Sequence, residues 1–294
     1  MRRGVHAILY AFFDADEHLD RAAMRRQVEA CLHVPVAGIA ALGLATEVAK
    51  LSIDERRMLM EWVAADVAGA VPLGFTITGQ SVAEQIAMVR HAEYVGADWL
   101  ILQPPAVGQY DAAEYLSFFG RVMGATALPV AIQNAPQYLG RGLSDEDIQT
   151  LRLSHANFTL IKSEASAVDC ARLIQLAGPG FQVFNGRGGQ EMIGCLDAGC
   201  TGFLLAPDLV DYGARVMQAY DAGNRDAAAA LHVSTLPAVD VVMQSIEHLI
   251  CYGKRLFAVR AGMQVHDRAP ALRPDATGLG QIEALGAVLG PFGG

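Results

Sequence analysis

The sequence predicts an α/β protein: a (β/α)8 TIM barrel with a C-terminal helical extension. Eight short apolar segments alternate with eight longer amphipathic ones within residues 1–223, which is the number of units and about the length of such a barrel. The apolar segments are almost continuously hydrophobic, as parallel strands covered on both faces are. No G-x-G-x-x-G motif follows the first segment, so a doubly wound dinucleotide-binding sheet is disfavoured.

Length and periodicity separate strands from helices. Short apolar runs indicate strands, and longer amphipathic runs indicate helices. The predicted strands cover residues 5–13, 38–42, 73–78, 99–102, 129–133, 159–162, 182–184 and 202–205. The predicted helices that follow them cover residues 20–33, 53–68, 81–95, 111–124, 144–152, 166–177, 189–198 and 208–222.

Three of these helices have serine residues suited to cap their first turn. Ser52 with Glu55, and Ser81 with Glu84, have the spacing of capping boxes, in which each side chain binds the other residue's backbone N–H. Ser144 is followed by three acidic residues, which suit the positive end of a helix dipole. These residues therefore predict the starts of three helices.

No further strand is predicted after residue 223. The segments 224–238, 240–252 and 255–263 have helical patterns, and a last helix covers 278–289 beyond a proline-rich stretch. We therefore expect two parts, a barrel domain over residues 1–223 and a helical extension over residues 224–294.

Composition and charge exclude several classes of protein. Of the 294 residues, 52% are hydrophobic and 18% are charged, which excludes a disordered chain. The net charge of −9 disfavours nucleic acid and anionic membranes as partners. Arg2 and Arg3 precede an apolar stretch, but no small-residue cleavage site follows, and no uncharged run reaches the ~18 residues of a membrane span. We expect a cytoplasmic protein.

The five cysteines and eight histidines show no metal-binding spacing. The cysteines form no C-x-x-C pair, and the histidines form no H-x-x-x-H or H-E-x-x-H pattern. We expect the cysteines to be buried as small apolar residues, as free cysteine commonly is. No metal site is predicted, and no G-x-S-x-G nucleophile elbow is present.

Lys162, one of only three lysines, ends a predicted strand, where the sites of such barrels form. Burial lowers the pKa of a lysine, and a neutral amine can attack a carbonyl carbon to form a Schiff base. A lysine that reaches solvent beside an acid is the ordinary alternative. Glu164 shares a strand face with Lys162. It is either a general acid or base near an imine, or the partner in a plain ion pair.

Turns after three other predicted strands carry candidate binding groups. The turn from Gly43 to Glu47 can offer N–H groups to a carboxylate, and the Thr46 hydroxyl can add a hydrogen bond or cap a helix. The amides of Gln133 and Asn134 can orient a substrate but cannot carry protons, and Asn-x-Pro is also an ordinary turn. A glycine-rich turn that begins near residue 186 can bind an anion or admit a substrate close to the backbone.

These positions together resemble the dihydrodipicolinate synthase / N-acetylneuraminate lyase family. The resemblance runs from about Gly4 to Gly262 and rests on the order and spacing of short motifs: Ala41-Leu42-Gly43 with Glu47, Leu51-Ser52 with Glu55-Arg56-Arg57, Ala92-Glu93 with Gly96-Ala97-Asp98, Pro104-Pro105, Leu128-Pro129-Val130, Asn134-Ala135-Pro136 and Ile161-Lys162. That family consists of (β/α)8 barrels with a C-terminal helical extension. The resemblance implies that Lys162 forms a Schiff base with a small 2-keto acid, without a metal or diffusible cofactor.

The chain departs from the family pattern at several positions. Leu44 and Ala45 stand where two threonines usually bind the carboxylate of the keto acid. Gln133 replaces a tyrosine that usually relays protons, and Tyr138 replaces the arginine that holds the second substrate of true dihydrodipicolinate synthases. These departures count against lysine-pathway activity and require another group to move protons.

The L-2-keto-3-deoxyarabonate dehydratases of this family look similar at the same positions. They have a glutamine in a Gln-Asp-Ala-Pro turn, a Lys-x-Glu sequence and a hydroxyl-then-Glu pair, which match Gln133, Lys162-Ser163-Glu164 and Thr46-Glu47. Asn134 in place of the aspartate is a departure. This resemblance implies dehydration of a 2-keto-3-deoxy sugar acid.

The expected mechanism begins when Lys162 condenses with the 2-keto group. The iminium acidifies the C3 protons, Glu164 transfers protons, and a β-hydroxyl leaves as water. Thr46 and the backbone of its turn would hold the carboxylate, Gln133 would orient a substrate hydroxyl, and Gly186 would let the substrate tail lie close to the backbone.

Two other functions stay open. Retro-aldol cleavage to pyruvate and an aldehyde uses the same imine, and a non-catalytic binding barrel could have lost turnover with its tyrosine and threonines. Family members commonly form tetramers, so the resemblance also implies a homo-oligomer, a tetramer or dimer. The tyrosine usually donated across the subunit contact is absent after Pro104-Pro105, so the site need not be shared.

Overall fold

A closed barrel of eight parallel strands forms the centre of the computed structural model, which describes residues 1–294. The strands are β1 Gly4–Ile8, β2 Gly38–Ala41, β3 Leu73–Ile77, β4 Trp99–Leu102, β5 Val130–Asn134, β6 Phe158–Ser163, β7 Gln182–Asn185 and β8 Gly202–Leu205. Neighbouring strands follow the chain order, and β8 pairs with β1 to close the barrel. The predicted fold class is confirmed.

Helices cover the outside of the barrel between successive strands. They are α1 Arg21–Leu32, α2 Ile53–Val67, α3 Val82–Tyr94, α4 Ala112–Met123, α5 Pro136–Leu139, α6 Asp145–Ser154, α7 Ala167–Ala177, α8 Met192–Asp197 and α9 Val210–Asp221. The sequence does not predict α5, because a single helical turn is too short to show a periodicity.

The first strand is shorter than its apolar run. The sequence predicts a strand over 5–13, whereas β1 ends at Ile8. Residues 9–13 are still fully buried, and the Leu9 N–H still donates to the Ala40 carbonyl. The apolar run over residues 5–13 therefore correctly indicates burial, but only residues 5–8 of it pair as a strand.

Two of the three predicted helix caps are complete. Ser52 and Ser144 each accept from the N–H three residues on, and the acidic side chain there accepts from the serine N–H. At Ser81 only the first half is present, because the Glu84 carboxylate accepts from the Gln80 N–H instead. That helix therefore begins with a serine cap but without the predicted capping box.

The C-terminal region consists of helices packed against the barrel. They are α10 Arg225–Val242, α11 Ile246–His248, a π-helix Leu249–Gly253, α12 Lys254–Ala261 and α13 Ala276–Leu289. The predicted break after residue 238 lies instead at residues 243–245, and the two predicted helices beyond it form one helical run through the π-helix. The hydrophobic core continues from the barrel into this region, and the domain boundary at residue 223 stays a prediction.

None of the helices, taken singly, is long and apolar enough to span a bilayer. Helices Arg225–Val242 and Ile246–Ala261 reach that length and hydropathy only as a pair, and the pair is bent by 105°. All five cysteines are buried and free, as the sequence predicts.

Replacing Ser52 with alanine tests the capping box that starts α2. Because Ser52→Ala leaves the first-turn N–H groups without their partner, we expect the free energy of unfolding to fall by about 1 kcal/mol in urea denaturation. Ser154→Ala is the matched control, since the Ser154 hydroxyl only donates to a carbonyl of its own helix. It should change stability by less than about 0.5 kcal/mol, and equal effects would contradict the assignment.

Candidate active site

A cavity opens at the C-terminal end of the barrel strands. It is lined by 17 residues, 11 of them hydrophobic. The polar residues among them are Gln133, Tyr138, Lys162, Glu164, Arg187 and Asp208. Three of the sequence-predicted site residues, Gln133, Lys162 and Glu164, therefore line one cavity.

Lys162 and Glu164 form a buried ion pair in this cavity. The Lys162 Nζ lies 2.9 Å from Glu164 Oε1, and each residue is only 6% exposed. The second carboxylate oxygen, Oε2, accepts a hydrogen bond from the Arg187 backbone N–H at 2.6 Å. The predicted shared face is thus present, and it brings a base directly against the amine. Such a base can take the proton that the amine must lose before it attacks a carbonyl carbon.

Gly186 makes room for the Glu164 carboxylate. A Cβ atom at position 186 would lie 2.4 Å from Glu164 Oε2 and 2.5 Å from Oε1. The next residue, Arg187, has a φ of 50°, in the left-handed region, and its N–H donates to that carboxylate. Gly186 does not itself line the cavity, so its contact is with Glu164 rather than with the space predicted for a substrate tail.

Gln133 presents a free hydrogen-bond donor at the end of β5. Its Oε1 accepts from the Gln103 side chain at 2.6 Å, and the Gln103 carbonyl accepts from the Gln85 side chain at 2.8 Å. The Gln133 Nε2 is buried and has no partner in the protein. A buried donor without a partner costs about 1–3 kcal/mol, so this N–H is suited to a polar atom of a bound ligand.

The turn after β2 offers two backbone N–H groups to the cavity. Leu44 and Ala45 line the cavity, and neither of their amides donates to a protein acceptor. The Gly43 N–H donates to Thr46 Oγ1 at 3.2 Å, and the Thr46 hydroxyl donates to the Leu9 carbonyl at 2.5 Å. The Thr46 hydroxyl thus shapes the turn, and its role in ligand binding stays a prediction.

Glu47 anchors this turn to the C-terminal helices. Its carboxylate lies 2.7 Å from the Lys50 Nζ and contacts the Lys254 Nζ of α12, and it is buried. Burial lowers the pKa of Lys254, and the charge of Glu47 opposes that shift. Glu47 thus pairs with two lysines, and its role in ligand binding stays a prediction.

The Asn134 side chain also forms its hydrogen bonds within the protein. Its Oδ1 accepts from the Leu143 N–H at 2.9 Å, and its Nδ2 donates to the Leu143 carbonyl at 3.0 Å. Both ends of the amide thus close the loop around α5. Asn134 does not line the cavity that contains Lys162, although it lines a neighbouring one with Glu164, so its role in ligand binding stays a prediction.

The sequence gives little indication of the rest of the cavity wall. Tyr138 was assigned only as the place of a missing arginine, yet its side chain faces Glu164, and burial and that charge raise its pKa. Met243 and Ile246 come from the C-terminal helices, which no local pattern places over the barrel. Asp208 follows β8, and its position after a strand end is the one signal that could have identified it.

Three cysteines lie close together outside this cavity. The sulfur atoms of Cys170, Cys195 and Cys200 all lie within 4.8 Å of one another and are buried. The Cys170 sulfur also accepts from the Asn185 side chain at 3.5 Å. Spacing along the sequence does not indicate this cluster, because its members come from α7, α8 and the loop before β8.

The structure is a (β/α)8 barrel with a lysine–carboxylate pair at its mouth, and the named relatives of its family are lyases. The chain belongs to the dihydrodipicolinate synthetase family, whose model matches residues 1–276. Its fold is similar to that of YagE of Escherichia coli K12, solved with pyruvate, with a TM-score of 0.90 at 23% identity over 96% of this chain and 97% of that chain.

Two curated relatives carry different activities. The 4-hydroxy-tetrahydrodipicolinate synthase of Xanthomonas axonopodis pv. citri (strain 306) is 34% identical over 233 residues, which is 77% of this chain and 76% of the relative. The L-2-keto-3-deoxyarabonate dehydratase of Azospirillum brasilense is 25% identical over 244 residues, which is 81% of this chain and 79% of the relative. The relatives therefore agree on the family and differ in their substrates.

Replacing Glu47 with glutamine tests the buried anchor of the β2 turn. Because Glu47→Gln leaves the fully buried Lys254 without an opposite charge, we expect the free energy of unfolding to fall by about 3–5 kcal/mol. The control is Glu29→Gln, which breaks an exposed ion pair with Arg25 and should cost less than about 1 kcal/mol. Similar losses in the two variants, measured by urea denaturation, would contradict the anchoring role.

Proposed function

We propose that this protein is a Schiff-base lyase for a small 2-keto acid, and that it dehydrates a 2-keto-3-deoxy sugar acid. The observation that carries the proposal is the buried pair of Lys162 and Glu164, 2.9 Å apart in a largely apolar cavity. A lysine in direct contact with a base can lose its proton and attack a carbonyl carbon.

The groups around the pair support a particular placement of the substrate. The free amides of Leu44 and Ala45 can bind the carboxylate next to the keto carbon. The unpartnered Gln133 Nε2 can donate to a substrate hydroxyl further along the chain. These donors are backbone and amide groups, so they bind without changing protonation.

The reaction follows from the chemistry of the imine. The Lys162 Nζ adds to C2, the keto oxygen leaves as water, and the resulting iminium draws electrons from the C3–H bond. Glu164 takes the C3 proton, and the electrons then expel the hydroxyl group on C4, which leaves as water once protonated. Hydrolysis of the imine releases the product and restores Lys162. The imine is the electron sink, so this mechanism requires no metal or diffusible cofactor.

The residues around the cavity favour dehydration over dihydrodipicolinate synthesis. By the family resemblance, Gln133 and Tyr138 stand where that synthesis would use a tyrosine and an arginine, and the Lys162-Ser163-Glu164 sequence matches the Lys-x-Glu of the dehydratases. Retro-aldol cleavage uses the same imine and would give pyruvate, so the product identifies the reaction. A homo-oligomer remains a proposal that rests on the family resemblance, and a cytoplasmic location remains one that rests on the sequence pattern.

Borohydride trapping tests the imine. We expect wild-type protein reduced in the presence of pyruvate, and then of 2-keto-3-deoxypentonate, to gain the mass of one adduct on Lys162 in peptide mapping. Lys162→Arg keeps the positive charge beside Glu164 but cannot form the imine, so it should show no adduct and lose turnover by about 10³-fold or more. An adduct on another residue, or turnover retained in Lys162→Arg, would contradict the proposal.

Gly186→Ala tests the placement of Glu164. The added Cβ must displace the carboxylate from Lys162 and from the Arg187 N–H, so we expect turnover to fall by about 10²-fold. Gly280→Ala is the control, because no atom lies within 4 Å of its Cβ position on the exposed side of α13. Its turnover should equal that of the wild type, and an unaffected Gly186→Ala variant would show that the contact is not needed.

A further inference from the structure

A second carboxyl-bearing residue, Asp208, lines the same cavity. Asp208 lies three residues beyond the end of β8 and is 3% exposed. It lines the cavity together with Lys162 and Glu164, and the proposed reaction has so far assigned it no task.

The surroundings of Asp208 differ from those of Glu164. No cation pairs with the Asp208 carboxyl group; its Oδ1 accepts a hydrogen bond from the Tyr10 hydroxyl at 2.8 Å. The nearby Arg260 binds the Asp208 backbone carbonyl, while its guanidinium pairs with Asp211. Burial therefore raises the pKa of Asp208 to about 7, and the hydrogen bond from Tyr10 opposes that shift.

Tyr10 holds this carboxyl group in place. Burial and the charge of Asp208 raise the pKa of Tyr10 well above its ordinary value, so the phenol remains a donor. A Cβ at position 253 would lie 2.4 Å from the Tyr10 hydroxyl, so a glycine is needed there. Gly253 ends the π-helix, a feature often found at functional sites, and Leu249 at its start lines the cavity.

We propose that Asp208 is the general acid that protonates the leaving hydroxyl group, and that Tyr10 positions it. The inference rests on the proposed dehydration. Glu164 lies against the Lys162 amine and accepts from the Arg187 N–H, which places it to act as the base. Two carboxyl groups with unlike surroundings in one cavity form a base and an acid.

Glu164 and Asp208 together account for both proton transfers of the elimination. The C3–H bond breaks, its proton goes to Glu164, and its electron pair becomes the second bond between C3 and C4. The C4–O bond breaks, and the departing oxygen takes the proton of Asp208 and leaves as water. Glu164 then loses its proton to solvent and Asp208 regains one, so that both return to their starting forms.

Tyr138 is the other hydroxyl-bearing side chain of the cavity wall. Its pKa is raised by burial and by the charge of Glu164, which weakens it as a proton donor. Tyr138 and Glu164 also line a second cavity, whereas the Asp208 carboxyl group is held beside the first by the Tyr10 hydroxyl. These contacts favour Asp208, and Tyr138→Phe is included in the test as its competitor.

Asp208→Asn separates imine chemistry from elimination. Imine formation and exchange of the pyruvate methyl protons in D2O require Lys162 and Glu164, so we expect both to stay within about threefold of wild type. Loss of water from 2-keto-3-deoxypentonate should fall by at least about 10²-fold, as expected when a general acid is removed. Retained elimination in Asp208→Asn would overturn the inference, and so would its loss in Tyr138→Phe alone.

Tyr10→Phe tests the role of Asp208 through the pH dependence of turnover, which a purely structural role of Tyr10 would leave unchanged. The acid must be protonated, so turnover should fall as pH rises through the pKa of Asp208. Removing the Tyr10 hydroxyl takes a hydrogen bond from the carboxylate, which raises that pKa and should shift this limb to higher pH. The charged neighbours Arg260, Asp211 and Glu47 are unchanged in the variant. If the fall in turnover occurs at the same pH in Tyr10→Phe as in wild type, Asp208 is not the general acid. This test does not depend on Asp208→Asn, so it still decides the question if that variant fails to fold.

Failure of the inference can be told from failure of the proposed function. If wild-type protein forms no trapped imine with either keto acid, the proposed function fails. If it forms the imine and releases pyruvate with an aldehyde, the dehydration and the role of Asp208 both fail. If it dehydrates its substrate and Asp208→Asn does so equally well, only the inference fails.

Discussion

The ion pair between Lys162 and Glu164 is the interaction on which the rest of the site depends. Taking two charges out of water costs several kcal/mol per ion, and only close contact and further hydrogen bonds offset that cost. The contact of 2.9 Å and the Arg187 N–H supply both. Replacing a buried ion pair with apolar side chains of similar volume is often neutral or stabilising, so stability alone does not explain this pair, whereas the chemistry it can perform does.

The surrounding structure keeps that pair in position and leaves other donors free. Gly186 lets the chain pass close to the Glu164 carboxylate, and the paired charges of Glu47 and Lys254 tie the β2 turn to the C-terminal helices. The hydroxyl of Thr46 completes the turn, so the two amides beside it remain available for a ligand. Groups that hold the backbone and groups that face the cavity are thus different, although they are neighbours in the sequence.

The sequence was enough to predict the barrel and the two residues of the pair. Continuous apolar runs report strands buried on both faces, and spacing by two places Lys162 and Glu164 on one face of β6. The roles of Thr46, Glu47 and Asn134 could not be predicted, because their partners Leu9, Lys254 and Leu143 become neighbours only in the fold. The sequence does not predict a role for Asp208 for the same reason. The cavity that Asp208 lines is formed by residues from Ile8 to Leu249, which become neighbours only in the fold.

A crystal structure of the protein soaked with pyruvate tests the central claim most directly. The account predicts continuous electron density from the Lys162 Nζ to C2 of the ligand, with the ligand carboxylate about 3 Å from the amides of Leu44 and Ala45. Pyruvate bound elsewhere, or held in the cavity with no covalent bond while Lys162 remains paired with Glu164, would contradict it.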